Sequence, residues 1–332
     1  MKTVSQMIKK LDFIMLFLAL AASIIGMLFI FSATKSYDGH MKYVFVQGGA
    51  FLIGLISAIL IAKFDYEDLA SLWGIITGFG IFMLVLVLFI GTGSESTGTQ
   101  GWIRFAGIGV QPAELVKVIF IITLAKHLHN IGEDINYIKN VTLLVLHLCV
   151  PVGLVMLQPD AGTAMVYVFI FMVMVFIAGI DWRYIAVAFG TFAVFAVIAW
   201  NFLLSKYQHE RFFAFLNPES APGTYGYHVM QSKIAIGSGL ISGKGLFQGI
   251  QTQLGYLPAK QTDFIFAVVG EEAGLMGCLF VMAILMLLIA RCVYIGKNAR
   301  TSLGTYMCVG VAAMWLFHTF ENIGMTIRSE ER

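Results

Sequence analysis

The sequence predicts an all-α polytopic integral membrane protein, and three observations carry that prediction. Of 332 residues, 59% are hydrophobic and only 12% are charged, where a soluble chain carries about 25% charged residues. A soluble fold cannot hide that much apolar surface. The apolar residues also fall into nine stretches of roughly 20, the length that crosses a bilayer as a helix. Finally, the basic residues between the stretches are distributed unequally, as the positive-inside rule requires of a membrane protein.

The stretches run over 12–33, 44–63, 72–92, 111–128, 141–157, 162–180, 184–204, 264–290 and 302–327. The first is long enough to span and lacks an A-x-A-like exit, so it reads as an anchor and not as a cleaved signal. The glycines inside several stretches are tolerated in membrane helices. With the N-terminus in the cytoplasm, the inner segments hold Lys2, Lys9, Lys10, Lys63, Lys126, Lys139, Arg183, Arg291, Lys297 and Arg300. The short outer loops then hold only Lys35, Lys42 and Arg104. Parity places the loops after spans one, three, five and seven outside. The last of these, 205–262, is the one long segment that is not apolar. It is polar from Lys206 to Arg211, turns at Asn217-Pro218 and is glycine-rich from Gly226 to Gly255.

Four clusters therefore share one membrane face: Trp102 with Arg104, Glu114 with Lys117, Asp160, and the 205–262 loop ending at Asp263. We read them as one polar site. Glu114 and Lys117 lie three apart on one helical face. Intramembrane charges cost roughly 2.5–3.5 kcal/mol each on insertion scales, so they pair or line a wet cavity. The pair is either a self-neutralising i,i+3 ion pair or a contact for an anionic lipid headgroup or pyrophosphate. Pro112 fits the first turn of that helix, where a missing N–H costs nothing. Asp160 serves as an N-cap for span six, which does not exclude a substrate contact. Trp102 is an interfacial aromatic anchor and Arg104 an interfacial charge beside it. Asp263 is either the N-cap of span eight or, facing a wet cleft, a general base. Glu271 and Glu272 lie about 12 Å deeper at 1.5 Å per residue and read as structural partners for buried donors. Gln231–Ile236 reads as a short amphipathic helix in the interface.

Other classes are excluded. A net charge of +2 argues against nucleic-acid binding. Ser238–Gly245 resembles a P-loop but has Ser238 for the first glycine and Gly245 for the final Ser/Thr. Its glycines read instead as tight turns whose backbone approaches a headgroup closely. Cys149, Cys278, Cys292 and Cys308 have no metal spacing and read as packing residues. His127 and His129 are two apart and share no helical face, so no metal set is formed. A divalent cation bridging pyrophosphate and carboxylates would fit the chemistry, but no ligand set for one is visible.

Seven motifs in order carry a resemblance over nearly the whole chain. They are Gly101-Trp-Ile-Arg-Phe105, Gln111-Pro-Ala-Glu-Leu-Val-Lys117, Gln158-Pro-Asp-Ala-Gly-Thr163, Arg211 with Phe215-Leu-Asn-Pro218, Gly226-Tyr-His-Val-Met-Gln-Ser232, Ile236–Gly245 and Thr262–Glu272. Together they resemble the SEDS family (shape, elongation, division and sporulation; RodA, FtsW and SpoVE), the RodA branch being preferred. The resemblance implies a single membrane domain over 1–332 and a peptidoglycan glycosyltransferase that polymerises lipid II at the outer face of the bacterial cytoplasmic membrane. It implies as partners a class B penicillin-binding protein and other elongation or division proteins. It maps the proposed catalytic aspartate onto Asp263, and family motifs onto Glu114, Lys117 and Asp160. Lys117, Arg211 and Lys244 are then the cations for the pyrophosphate. A lipid II flippase and a non-catalytic scaffold for the transpeptidase are the rival readings.

The chain also departs from the family pattern. Members have ten spans and continue after Asn322-Ile-Gly-Met325 through a proline- and glycine-rich segment. This chain ends in the charged tail Arg328-Ser-Glu-Glu-Arg332, which reads as a truncation or frame shift and puts its activity in question. Ala113 and His228 stand where serine and glutamine are common.

Overall fold

The computed structural model describes residues 12–93, 99–105, 108–198 and 225–327. The 205–224 part of the long loop, with Arg211 and Asn217-Pro218, lies outside the described residues, as do Lys2, Lys9, Lys10 and the 328–332 tail. Each of the nine apolar stretches holds a helix. These are α1 (Phe13–Thr34), α2 (His40–Ile61), α4 (Trp73–Ile90), α5 (Pro112–Ile131), α6 (Ile138–Met156), α7 (Ala161–Ile177), α8 (Trp182–Ile198), α11 (Ile265–Lys297) and α12 (Ser302–Ile327). Shorter helices are α3 (Tyr66–Ser71), α9 (Tyr225–Gly239) and α10 (Ile250–Gln253). Among the described residues seven helices are long and apolar enough to cross a membrane; α7 and α8 are apolar helices of 17 residues. The protein is a multi-pass helical membrane protein.

Local chemistry sets the helix ends. Asp65 accepts from Glu67 N at 3.2 Å at the start of α3, and Asp160 accepts from Thr163 N at 3.0 Å at the start of α7. Both are N-caps that satisfy an orphan donor. Pro112 opens α5, Glu114 sits in its positive first turn, and Gly132 at φ 57° closes it. An antiparallel hairpin of β1 (Ile103–Phe105) and β2 (Ile108–Val110) precedes α5. It escaped the sequence reading because two three-residue strands are too short for a periodicity signal.

The chain divides into two compact units. The first comprises Asp12, Ser57–Asp181 and Ile289–His318; the second comprises Phe13–Ile56, the described part of Trp182–Leu288, and 319–327. The first unit packs α4, α6 and α7 around α5, whose Phe120, Ile121, Leu124 and Leu128 are buried. Lipid tails are as apolar as these side chains, so packing rather than water exclusion holds such helices together. Glycines provide the close contacts. A Cβ on Gly80 would lie 3.2 Å from Ile119, and one on Gly310 would lie 2.6 Å from Ile121 and 2.8 Å from Met174. Many of the remaining large apolar side chains, such as Phe45, Ile53 and Phe89, are exposed, the expected face toward lipid.

The second unit corrects two expectations. The glycine-rich segment is not a plain loop. Helix α9 is longer than the predicted 231–236, and Val229, Ser232 and Ala235 on one of its faces are buried. Ser232 Oγ donates to Thr326 O at 3.0 Å, so the helix is packed into the unit by that face. Span eight is also not one uninterrupted helix: α11 breaks at Gly274, φ 66° and ψ −164°, backbone that glycine alone adopts without strain. Segment 240–245 fills the break. Leu275 N and Met276 N donate to Leu240 O and Ile241 O at 2.9 and 3.2 Å, while Lys244 N and Gly245 N donate to Glu271 O and Glu272 O at 3.0 Å each. The backbone groups freed by the break are thus re-satisfied by protein, the condition for irregular chain inside a bilayer. Gly239 and Gly243 approach other main chain closely: a Cβ on Gly239 would collide with Gly270 O, and one on Gly243 with Glu272 O.

Gly274→Ala is expected to destabilise the protein by roughly 3 kcal/mol or more, from left-handed strain added to a clash with Ile241 O at 2.6 Å. Gly54→Ala, with open space around it in α2, is expected to change stability by no more than about 1 kcal/mol. Thermal unfolding of both variants in detergent checks the contrast.

Candidate functional site

Each unit carries its own polar cluster. In the first, α5 presents Glu114 and Lys117 from adjacent turns. Lys117 is fully buried, and its ammonium donates to Glu114 Oε1 at 2.8 Å. It also lies 2.7 Å from His318 Nε2 on α12. An ammonium only donates, so Nε2 accepts and the ring proton sits on Nδ1. Glu114 is half exposed, its side chain at 51%, and among the described residues its second oxygen accepts no hydrogen bond. A histidine within a span is a signal in its own right, and His318 is the member of this cluster that the sequence reading missed.

Asp160 accepts three hydrogen bonds. Besides capping α7, its Oδ2 accepts from Thr163 Oγ1 at 2.9 Å and from Gln111 Nε2 at 2.6 Å. It therefore fixes the start of α7 to the residue before α5. Buried Tyr167 adds a second tie by donating to Ala113 O at 2.9 Å. Trp102 pairs by its backbone with Thr92, and its indole lies under Gly109, where a Cβ would sit 3.0 Å away. Arg104 is exposed on β1.

The first unit also contains an apolar cavity of ≈ 380 Å³ between α4, α5 and α6. Ile81, Leu84, Val116, Ile119 and Val150 form its apolar wall, and His127, Asn130 and His147 give it a polar region. There Thr123 Oγ1 lies 3.1 Å from His147 Nε2, and the two imidazoles stack with Nδ1 atoms 3.2 Å apart.

In the second unit Glu271 is buried and saturated. It accepts from Gln251 N at 2.8 Å, Thr252 N at 2.9 Å and Thr252 Oγ1 at 2.7 Å, with Lys244 Nζ more distant at 3.4 Å. Glu272 accepts from Ser32 Oγ at 2.6 Å and from Gln253 Nε2 at 3.3 Å. Lys244 keeps a quarter of its side chain exposed.

Asp263 differs from all of these. It lies two residues before α11 and is exposed. Its main-chain O accepts from Asn322 Nδ2 at 3.2 Å, yet among the described residues its carboxyl group accepts no hydrogen bond and caps no helix. Partial burial, with the Glu321 carboxylate adding to it, holds the carboxyl above the usual carboxylate range; His228 pulls the other way. His228 itself stands edge-on to Phe264, ring centres 6.3 Å apart. A carboxylate that is reachable, unbonded and of raised proton affinity is suited to taking a proton.

The fold and these clusters define a class first: a polytopic membrane protein with an exposed carboxylate just before a broken helix. Comparison with known proteins gives the family. The model of the FtsW/RodA/SpoVE family of cell cycle proteins matches residues 12–328, and the chain belongs to that family, the one its motifs resemble. It is 36% identical over 320 residues to the peptidoglycan glycosyltransferase MrdB of Escherichia coli, covering 95% of this chain and 84% of that protein. Among solved structures it is similar to a chain described under structural coordination of polymerization and crosslinking by a peptidoglycan synthase complex. That match has a TM-score of 0.81 and 27% identity, covering 96% of this chain and 88% of the other. It is also similar to an aspartate-to-alanine mutant of the rod shape determining protein RodA of Thermus thermophilus. Here the TM-score is 0.70 and the identity 26%, covering 96% and 86%.

The raised proton affinity of Asp263 has a testable sign. Its carboxyl is expected to titrate above the ordinary aspartate value of about 3.9. Removing the neighbouring negative charge with Glu321→Gln is expected to move that titration to lower pH. Infrared difference spectroscopy of the carboxyl band, with Asp263→Asn to assign it, measures both.

Proposed function

We propose that this chain is a peptidoglycan glycosyltransferase, polymerising lipid II in cell-wall synthesis for cell shape, elongation or division. The observation that carries the reading is the carboxyl group of Asp263: exposed, without a hydrogen bond among the described residues and of raised proton affinity, in a protein whose 36% identical relative is named for this activity. In the proposed reaction the acceptor sugar 4-hydroxyl oxygen attacks the anomeric carbon of the donor. The bond from that carbon to the diphosphate breaks, the polyprenyl diphosphate leaves, and Asp263 takes the hydroxyl proton. Charge developing on the leaving diphosphate needs a cation. Lys244, with its exposed quarter and long bond to Glu271, is the candidate in the same unit; Arg211 is kept from the sequence as a bidentate phosphate ligand.

Trp102, Arg104, Glu114, Lys117 and Asp160 are proposed headgroup contacts on the first unit. The apolar cavity between α4, α5 and α6 is the proposed seat for a stretch of the polyprenyl tail, its wall being apolar and its volume ≈ 380 Å³. Orientation follows the positive-inside rule: N-terminus in the cytoplasm, bacterial inner membrane, chemistry at the outer face. A class B penicillin-binding protein is the proposed crosslinking partner, in keeping with the similarity to a chain of a complex that polymerises and crosslinks.

The decisive experiment is glycan polymerisation from purified lipid II by the chain with its class B partner. Polymer is expected from the unsubstituted protein and a loss of at least about a hundredfold from Asp263→Ala, the scale of a lost general base. Full activity in Asp263→Ala would remove that residue from the chemistry. A leaflet-resolved lipid assay separates a flippase, which would move lipid II without extending glycan.

The tail proposal has its own test. Ile119→Trp, which narrows the cavity, is expected to raise KM for lipid II several-fold with little change in kcat, the mark of lost uniform binding. An unchanged KM would place the tail elsewhere.

A further inference from the structure

Lys260 is a buried cation that the proposed chemistry does not use. It is 0% exposed, and among the described residues its ammonium has no carboxylate partner. Its acceptors are neutral: Thr252 O at 2.6 Å and Ser36 Oγ at 2.6 Å, with the ring of Tyr37 4.5 Å away. Burying an ammonium without a counter-ion is unfavourable by several kcal/mol, so its retention calls for an account other than stability.

Position supplies one. Lys260 stands three residues before Asp263, inside the turn that delivers the chain to α11. That turn closes on Ala259 O, which accepts from Thr262 N at 3.1 Å and Phe264 N at 3.3 Å. The acceptors of Lys260 lie on two other segments. Thr252 belongs to α10, and its own N–H and hydroxyl are bound by Glu271 on α11. Ser36 belongs to the turn after α1. The neighbouring Gln261 reinforces this second tie, its Oε1 accepting from Tyr37 OH at 3.2 Å. A closed circuit results: α11 through Glu271 to Thr252, from Thr252 to Lys260, and along the turn through Asp263 back into α11.

We infer that Lys260 is a positioning residue for Asp263, its ammonium pinning the turn that carries Asp263 to α10 and to the turn after α1. The inference rests on the reading of Asp263 as the base. A misplacement of even 1 Å at a reacting group costs up to about a hundredfold in rate, so a turn tied to two other segments is what a base outside the helix requires. The cost of a buried charge is then the cost of rigidity. Burial lowers the proton affinity of this lysine, and the two short bonds to oxygen acceptors favour keeping the proton.

The test compares Lys260→Met, Lys260→Arg and Asp263→Ala in the full chain with its partner, using purified lipid II. Lys260→Met keeps the length and removes the charge. It is expected to lower kcat roughly ten- to a hundredfold, to leave KM for lipid II nearly unchanged, and to leave Tm equal or higher because an uncompensated charge is gone. Lys260→Arg is expected to restore part of kcat. Hydrogen exchange of the 259–264 amides, which needs no activity, is expected to quicken in Lys260→Met and not in Lys260→Arg. Unchanged exchange with wild-type kcat in Lys260→Met would overturn the inference. So would a joint fall of Tm and kcat with no rescue by arginine, which marks a merely structural lysine. No polymer from the unsubstituted chain would instead remove the glycosyltransferase reading on which this role depends.

Discussion

Backbone groups inside a bilayer must find partners in the protein, and the second unit is arranged around one place where the helix fails to supply them. At Gly274 the main chain of α11 turns to φ 66°. Two N–H groups and two carbonyls on either side of it are taken up by 240–245. That segment has to come within van der Waals distance of α11, which is why Gly239, Gly243 and Gly274 have no room for a side chain. Once the segment is seated, its neighbours follow. Lys244 is brought to Glu271, and Glu271 collects the N–H groups that open α10. A buried carboxylate with three near donors is tolerable in a low-dielectric setting, where an unpaired one is not. The break is thus the reason a polar network can exist at this depth.

The same accounting separates the acidic residues by role. Asp160, Glu271 and Glu272 spend their lone pairs on hydroxyl, amide and ammonium donors, and Glu114 is tied by one oxygen to Lys117. Groups held this way fix helices and loops. Asp263 is fixed through its main chain instead, by Asn322 and by the turn that contains it, so among the described residues its carboxyl oxygens remain unengaged. Backbone held and side chain unspent is the arrangement that the proposed role of Asp263 as a base would need. Of the two aspartates at helix starts, Asp160 caps α7, whereas among the described residues the Asp263 side chain caps no helix.

Much of this was legible in the sequence. Hydrophobic length located a helix in each of the nine apolar stretches, because a span must be about 20 residues and apolar. Pro112 and Asp160 announced the starts of α5 and α7 through their own local chemistry. What escaped were features made by pairs distant in sequence. Glycine richness between 226 and 255 was visible, but the close approach of Gly239, Gly243 and Gly249 to α11 was not. His318 is 201 residues from Lys117, and no spacing rule links them. Lys260 was passed over for a similar reason: its acceptors are at positions 36 and 252, and a lone lysine beside a polar loop reads as solvated.

The cations deserve the same discrimination as the acids. Lys117 is closed off, its ammonium between Glu114 and His318 and its side chain only 1% exposed; a headgroup phosphate reaches it only by displacing the half-exposed Glu114 carboxylate. Lys244 stands differently. Its bond to Glu271 is the longest of the four made to that carboxylate, the other three coming from groups that lose nothing if the lysine leaves. A lysine is a point charge on a flexible stem, and one whose partner is already satisfied can turn to a diphosphate at small cost. Within the unit that holds Asp263, the proposed charge stabilisation therefore falls more economically to Lys244 than to Lys260, which is buried and spoken for.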